Sequence, residues 1–221
     1  VTYFARAWDG KDWSATASAA GTVEGRGPDA AIDVELVVVD EPAPFDTFPT
    51  LPHSTPQVRH NDIFYTEIWA KNADGSPSGI TGGYLDLSFD TSLVTAGTLH
   101  HGAIYTDLTS GSVDNGAGLV DDVGGTADSG VTDRGDDEWV RLGYVGFTAE
   151  SAGTLALSAS AGRERFARAG EGAVEWSEVE FNDPAVSVAI SGAQLVESGA
   201  VGETTVSFYD IDPEETQYLG M

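Results

Sequence analysis

The sequence contains no cysteine, which removes disulfides as a staple and thiolate as a metal ligand or nucleophile. Lysine is almost missing too: Lys11 and Lys71 are the only two, and 10 basic residues face 36 acidic ones, for a formal net charge of -26. A field of that sign repels phosphate backbones and anionic lipid surfaces, so nucleic-acid binding is excluded as a working function. No run approaches the ~20 apolar residues of a spanning helix, and no membrane insertion is expected. There is no signal-peptide pattern and the first residue is Val1, from which we expect a processed protein or a segment of a longer one. Apolar spacing of the helical kind is nearly absent as well, which leaves strands.

What is present suffices for a core: 221 residues, 41% hydrophobic and 10% aromatic. Alternating segments rich in Val, Ile, Thr and aromatics recur between clusters of Gly, Asp, Asn, Ser and Pro, as in many short antiparallel strands. The strands expected are Val1 to Trp8, Trp13 to Ser18, Ile32 to Asp40, Ile63 to Asn72, Gly83 to Phe89, Val94 to His100, Gly118 to Val123, Glu138 to Ala149, Gly153 to Ser160, Ala173 to Phe181, Ala185 to Ile190 and Thr204 to Tyr209. Residues 41–62 hold five prolines, which withhold ladder donors and predict an irregular surface loop. Residues 106–137 form a second long loop with one short strand. The fold class expected is all-β, an antiparallel jelly-roll-type β-sandwich over 31–190, with strand arms at 1–30 and 191–221, the latter either an arm or the start of a following module.

The stretch GITGGYLDLSFDTSLV, residues 79–94, illustrates the grammar. Period-2 geometry sends Leu85, Leu87 and Phe89 to one face and Tyr84, Asp86 and Ser88 to the other. Gly82 and Gly83 are expected to permit backbone turns, and Asp90 with Ser92 to close the exit turn.

Candidate chemistry is sparse. His53, His60, His100 and His101 stand in no H-E-x-x-H or comparable pattern, and adjacent His100 and His101 diverge on a strand. Asp121 with Asp122, and Asp136 with Asp137 and Glu138, could supply the two facing carboxylates of a glycosidase, but in acidic loops without an aromatic platform. The acidity has two ordinary readings, a surface kept soluble in saline surroundings or loops that hold calcium. Calcium candidates are Asn72 and Asp74 in NADGSPSG, with Asp133, Asp136 and Asp137 in TDRGDDE; neither loop has the full EF-hand pattern. No cofactor is certain from the sequence. Trp69 and Trp139 are read as packed; Trp8, Trp13 and Trp176 are left open.

Four pieces in order carry a resemblance: DIFYTEIWAKNADGSPSGITG, GGYLDLSFDTSLV, WVRLGYVGFTAESAGTLALSAS and EVEFNDPAVSVAI. Together they resemble the strands and turns of the cohesin family over about residues 32–190, and DNGAGLVDDVGG resembles cohesin-like modules in large exported proteins of planctomycete bacteria. The resemblance implies a non-catalytic module, extracellular or at the cell surface, with a dockerin-like protein partner held on one sheet face. The proline loop, the acidic loop and both arms are additions to that pattern; the arms suggest self-assembly through terminal strands as another use. A carbohydrate-binding module is the alternative function and would need a planar row of exposed aromatics.

Overall fold

The structure, a computed structural model, describes residues 2–5, 17–20, 30–127, 134–181, 185–192, 194–201 and 204–210. Its strands are β1 (Thr2–Ala5), β2 (Ala17–Ala20), β3 (Ile32–Val39), β4 (Thr47–Phe48), β5 (Gln57–Arg59), β6 (Ile63–Asn72), β7 (Ile80–Ser88), β8 (Val94–His101), β9 (Asp107–Asp114), β10 (Leu119–Thr126), β11 (Trp139–Ala149), β12 (Gly153–Ala161), β13 (Ala167–Arg168), β14 (Gly172–Ala173), β15 (Val179–Phe181), β16 (Ala185–Ser191), β17 (Gln194–Val201) and β18 (Thr204–Asp210). A 3-10 turn, Trp176–Glu178, precedes β15.

Two sheets face each other. The six-stranded one runs β15-β3-β6-β11-β4 with β8 also on β11; the eight-stranded one runs β14-β13-β7-β12-β16-β5, with β10 on β7 and β9 on β10. The all-β sandwich expected from the sequence is therefore what forms. Most pairings are antiparallel, as expected, and two short edge pairings, β15 with β3 and β16 with β5, are parallel. β1 pairs with β2, and β17 with β18, each as a two-stranded sheet.

Period-2 alternation builds the core. Leu85 and Leu87 of β7, Leu155 and Leu157 of β12, and Val188 and Ile190 of β16 all point inward, against Leu36 and Val38 of β3, Phe64 and Ile68 of β6, and Val145 and Phe147 of β11. Burying each such side chain contributes about 1.5–3 kcal/mol. The exit turn after β7 closes as expected, with Ser92 donating to Asp90 Oδ1 from its backbone N at 2.8 Å and its hydroxyl at 2.7 Å. Gly82 and Gly83 lie inside β7 rather than in a turn. The second is needed because the Phe166 ring occupies the space of its Cβ, with ring atoms 2.4–2.8 Å from where one would stand.

Several expected boundaries change. The proline segment is not strandless: β4 and β5 form in it, each too short to leave a pattern. β9 runs through the expected acidic loop, β13 was not expected, and the strand expected over 173–181 is split into β14 and β15 by the turn at Trp176. β17 occupies part of the C-terminal arm for which only one strand was expected.

Candidate functional site

The outward faces of the two sheets differ sharply. Behind β3, β6 and β11 lies a second apolar cluster made of Val37, Val39 and Trp69, with Tyr65, Trp139, Phe48, Ala43 and Leu51 packed on it. Residues 41–55 roof it as a strap. The strap is pinned by Arg141, which is 6% exposed: its Nε donates to Asp46 Oδ1 at 2.6 Å, one Nη donates to Ala43 O at 3.0 Å, and the same nitrogen pairs with Glu67. Glu67, wholly buried, also accepts from Ala43 N at 2.7 Å and Trp69 Nε1 at 3.2 Å. The guanidinium further lies over the Trp69 and Tyr144 rings, 5.5 and 4.9 Å from their centroids. A buried charge pair persists only when its remaining donors and acceptors are satisfied, and here they are. Trp69 and Trp139 are thus packed, as expected, but under the strap rather than between the sheets, while Trp176 packs edge-on to Phe166.

Among the described residues, the eight-stranded sheet carries no such roof over β12 and β16. Their outward residues Thr154, Ala156, Ser160, Ala185, Ser187 and Ala189 are all exposed and all short. Cross-strand registry sets Ala185, Ser158, Ser88, Leu119 and Asp114 in one row across five strands. The result is a flat, open floor with a polar margin.

At that margin β10 bulges. Val120 pairs with Leu87 and Val123 with Leu85, so Asp121 and Asp122 together oppose Asp86, and Asp122 takes a left-handed φ of 52°, as bulged residues do. The three carboxylates offer oxygens within 4.8 Å of one another, the one such acidic group among the described residues. Asp86 accepts from Asp122 N at 2.9 Å; burial, then the neighbouring carboxylates of Asp121 and Asp122, hold its carboxyl above the usual range. Asp122 accepts from Arg163 N at 2.7 Å and pairs with Arg163 Nε at 3.2 Å. Tyr84, turned to the same face, donates to Leu108 O at 2.6 Å. Burial pushes its phenol pKa up. Asp121 and Asp122 were visible in the sequence as a carboxylate pair; their meeting with Asp86 depends on a bulge that leaves no residue signature.

The calcium candidates are distributed differently. The turns holding Asn72 and Asp136 are neighbours, joined by Asn72 N donating to Gly135 O at 2.7 Å and by Ile80 N donating to Arg134 O at 2.7 Å. Asn72 directs its amide nitrogen to Ser76 O and Ser78 O, at 3.2 and 2.6 Å. Asp74 is clamped by both Nη atoms of Arg168, at 2.8 and 3.1 Å. The first influence on its acidity is burial, which raises its pKa; hydrogen bonds from Arg168 and Ser76 outweigh it and leave the carboxyl below its ordinary value. Asp136 accepts from Asp137 N, and Asp137 O accepts from Lys71 Nζ at 2.8 Å. Asp133 lies outside the described residues. The carboxylates of Asp74 and Asp136 thus meet protein donors, Asp137 is tied through its backbone oxygen, and Asn72 Oδ1 is buried without a protein donor among the described residues.

Of the histidines, His100 stacks on Tyr144 with centroids 4.7 Å apart, and His101 turns the other way. The two therefore diverge on β8, as adjacent strand residues must. Burial lowers the His101 pKa.

No protein-family model matches the sequence, and no curated protein matches it. Solved structures do. The chain is similar to the seventh ScaB type I cohesin from Pseudobacteroides cellulosolvens, at 13% identity and a TM-score of 0.51 over 77% of this chain and 98% of that one. It is likewise similar to the third cohesin of ScaC from Acetivibrio cellulolyticus, solved with the ScaB dockerin, at 12% identity and a TM-score of 0.50 over 72% and 99%. A third is the Coh-OlpC-Doc435 cohesin–dockerin complex from Clostridium thermocellum, at 11% and 0.50 over 76% and 99%. Identities this low speak to architecture: the protein has a cohesin-like β-sandwich fold.

Proposed function

We propose that the protein is a non-catalytic interaction module, extracellular or at the cell surface, that holds a dockerin-like protein partner on the outer face of its eight-stranded sheet. The observation that carries this is the contrast between the two outer faces: one is covered over β3, β6 and the start of β11 by the strap latched on Arg141, the other is an open floor of short side chains. A flat face without long flexible side chains lets a partner's backbone and side chains approach with little ordering cost. The acidic margin at Asp86, Asp121 and Asp114 suits a partner carrying basic residues there. The solved relatives in complex with dockerins support a protein as the partner class.

The carbohydrate-binding alternative is less well supported, because Phe45 is the one aromatic among the exposed large hydrophobic side chains of the described residues, and a single ring makes no stacking row. Self-assembly through the terminal strands is a second use, supported by the pairing of β1 with β2 and of β17 with β18, since among the described residues each strand of these pairs is paired on one edge alone.

Titration calorimetry of the protein with a panel of type I dockerins tests the proposal. Saturable binding by at least one of them is expected; heats no larger than dilution across the whole panel would contradict it.

A further inference from the structure

The hairpin between β9 and β10 turns through Asn115, Gly116, Ala117 and Gly118, and its first residue does unusual work. Asn115 reaches across to the other sheet, where its Oδ1 accepts from Ala96 N at 2.8 Å and its Nδ2 donates to Ala96 O at 2.9 Å. One side chain thus imitates a strand residue along the edge of β8, whose other edge pairs with β11. It joins the eight-stranded sheet to the six-stranded one at this corner. Asparagine followed by glycine is also the dipeptide in which a backbone nitrogen attacks a side-chain amide most readily, because glycine has no side chain to obstruct the ring closure.

We propose that Asn115–Gly116 is a self-modification site whose reaction the fold restrains and whose product unfastens this corner. In the reaction Gly116 N attacks Asn115 Cγ, the new C–N bond closes a succinimide, and the Cγ–Nδ2 bond breaks, the hydrogen given up by Gly116 N leaving with Nδ2 as ammonia; water then opens the ring to aspartate or isoaspartate. Both reacting groups are tied elsewhere in the folded chain. Gly116 N donates to Asp114 Oδ1 at 2.8 Å, and the Asn115 amide is held on Ala96. The residue is exposed, so water has access, and brief opening of the turn frees both groups at once. The product carboxylate can still accept from Ala96 N but has no hydrogen for Ala96 O, so two acceptors then face each other and the clamp is lost. The change is one-way, with time and local opening as its clock.

The test is peptide mass spectrometry of the whole protein incubated at mildly alkaline pH, folded and in urea, following amide-to-acid conversion in the peptide that contains Asn115. Conversion is expected to be many-fold slower in the folded protein, and Asp114→Ala, which frees Gly116 N, is expected to accelerate it several-fold without altering Asn115. Recombinant Asn115→Asp, which needs no incubation, is expected to melt below the parent and to exchange its β8 amides faster. Equal conversion rates with and without urea would overturn the restraint, and a melting temperature for Asn115→Asp equal to the parent's would overturn the unfastening.

Discussion

Adjacent residues of β7 meet opposite surroundings. Leu87 is fully buried, whereas Asp86 is half-buried on the outward face. Leu87→Asp places an unpaired charge between the sheets and is expected to leave no cooperative urea transition, while Asp86→Asn stays folded. Equal urea midpoints for the two variants would contradict this assignment of the faces. The pH dependence has a sign. A folded-state pKa raised above the ordinary 3.8 means that Asp86 favours folding most at pH below that value and loses the contribution as pH rises through its folded pKa. Asp86→Asn is therefore expected to match or exceed the parent in urea midpoint at neutral pH and to lose this advantage in acid. His101 works in the opposite sense. Its pKa is lowered from 6.5, chiefly by burial, so its contribution is intact above 6.5 and is lost as pH falls through 6.5 toward the folded value. Melting temperatures measured from neutral to mildly acidic pH should fall more steeply for the parent than for His101→Gln.

The strap over the six-stranded sheet is the element whose energetics rest most on charge. Arg141→Met leaves Glu67 buried without its cation and is expected to cost ~3–5 kcal/mol in urea unfolding. The double variant Arg141→Met with Glu67→Met is expected to recover most of that loss, because an apolar pair of similar volume removes both desolvation penalties. A double variant no better than the single would show that the strap is held by its apolar contacts with Trp69 and Phe48 instead. The same element marks where sequence reading stops. β6 and β16 were legible because one face is apolar and tertiary contact keeps it so. β9 was not, since its residues are exposed almost throughout and carry no apolar period. β4 and β5 are pairings of two and three residues, created by the strap lying against β11 and by the chain just after it lying against β16, and not by local preference. At the candidate face the residue types were readable, as with Asp121 and Asp122, yet the bulge that brings Asp86 to them and the partnership of Arg141 with Glu67 are products of registry between distant strands.

At the scale of the molecule, every strand of the two large sheets lies between Ile32 and Ser191. Deleting residues 1–30 is accordingly expected to leave a folded sandwich, and light scattering beside the intact protein decides whether those residues link copies: a truncation that is monomeric where the intact chain is larger supports assembly, and two equal monomers with loss of stability only in the truncation exclude it. The proposed docking is one-sided, with the partner on the open face and not on the strapped one. The most direct measurement is the affinity of a bound type I dockerin for two single variants, Ser158→Arg in the middle of the open floor and Phe45→Ser on the strap. Phe45 is 66% exposed and Ser158 is half-buried on the outward face of β12, opposite in sense to Leu155 and Leu157, so neither side chain belongs to the core. Ser158→Arg is expected to weaken binding by at least tenfold, ~1.4 kcal/mol, and Phe45→Ser to leave it unchanged; binding that survives Ser158→Arg and is lost in Phe45→Ser would contradict docking on the open face.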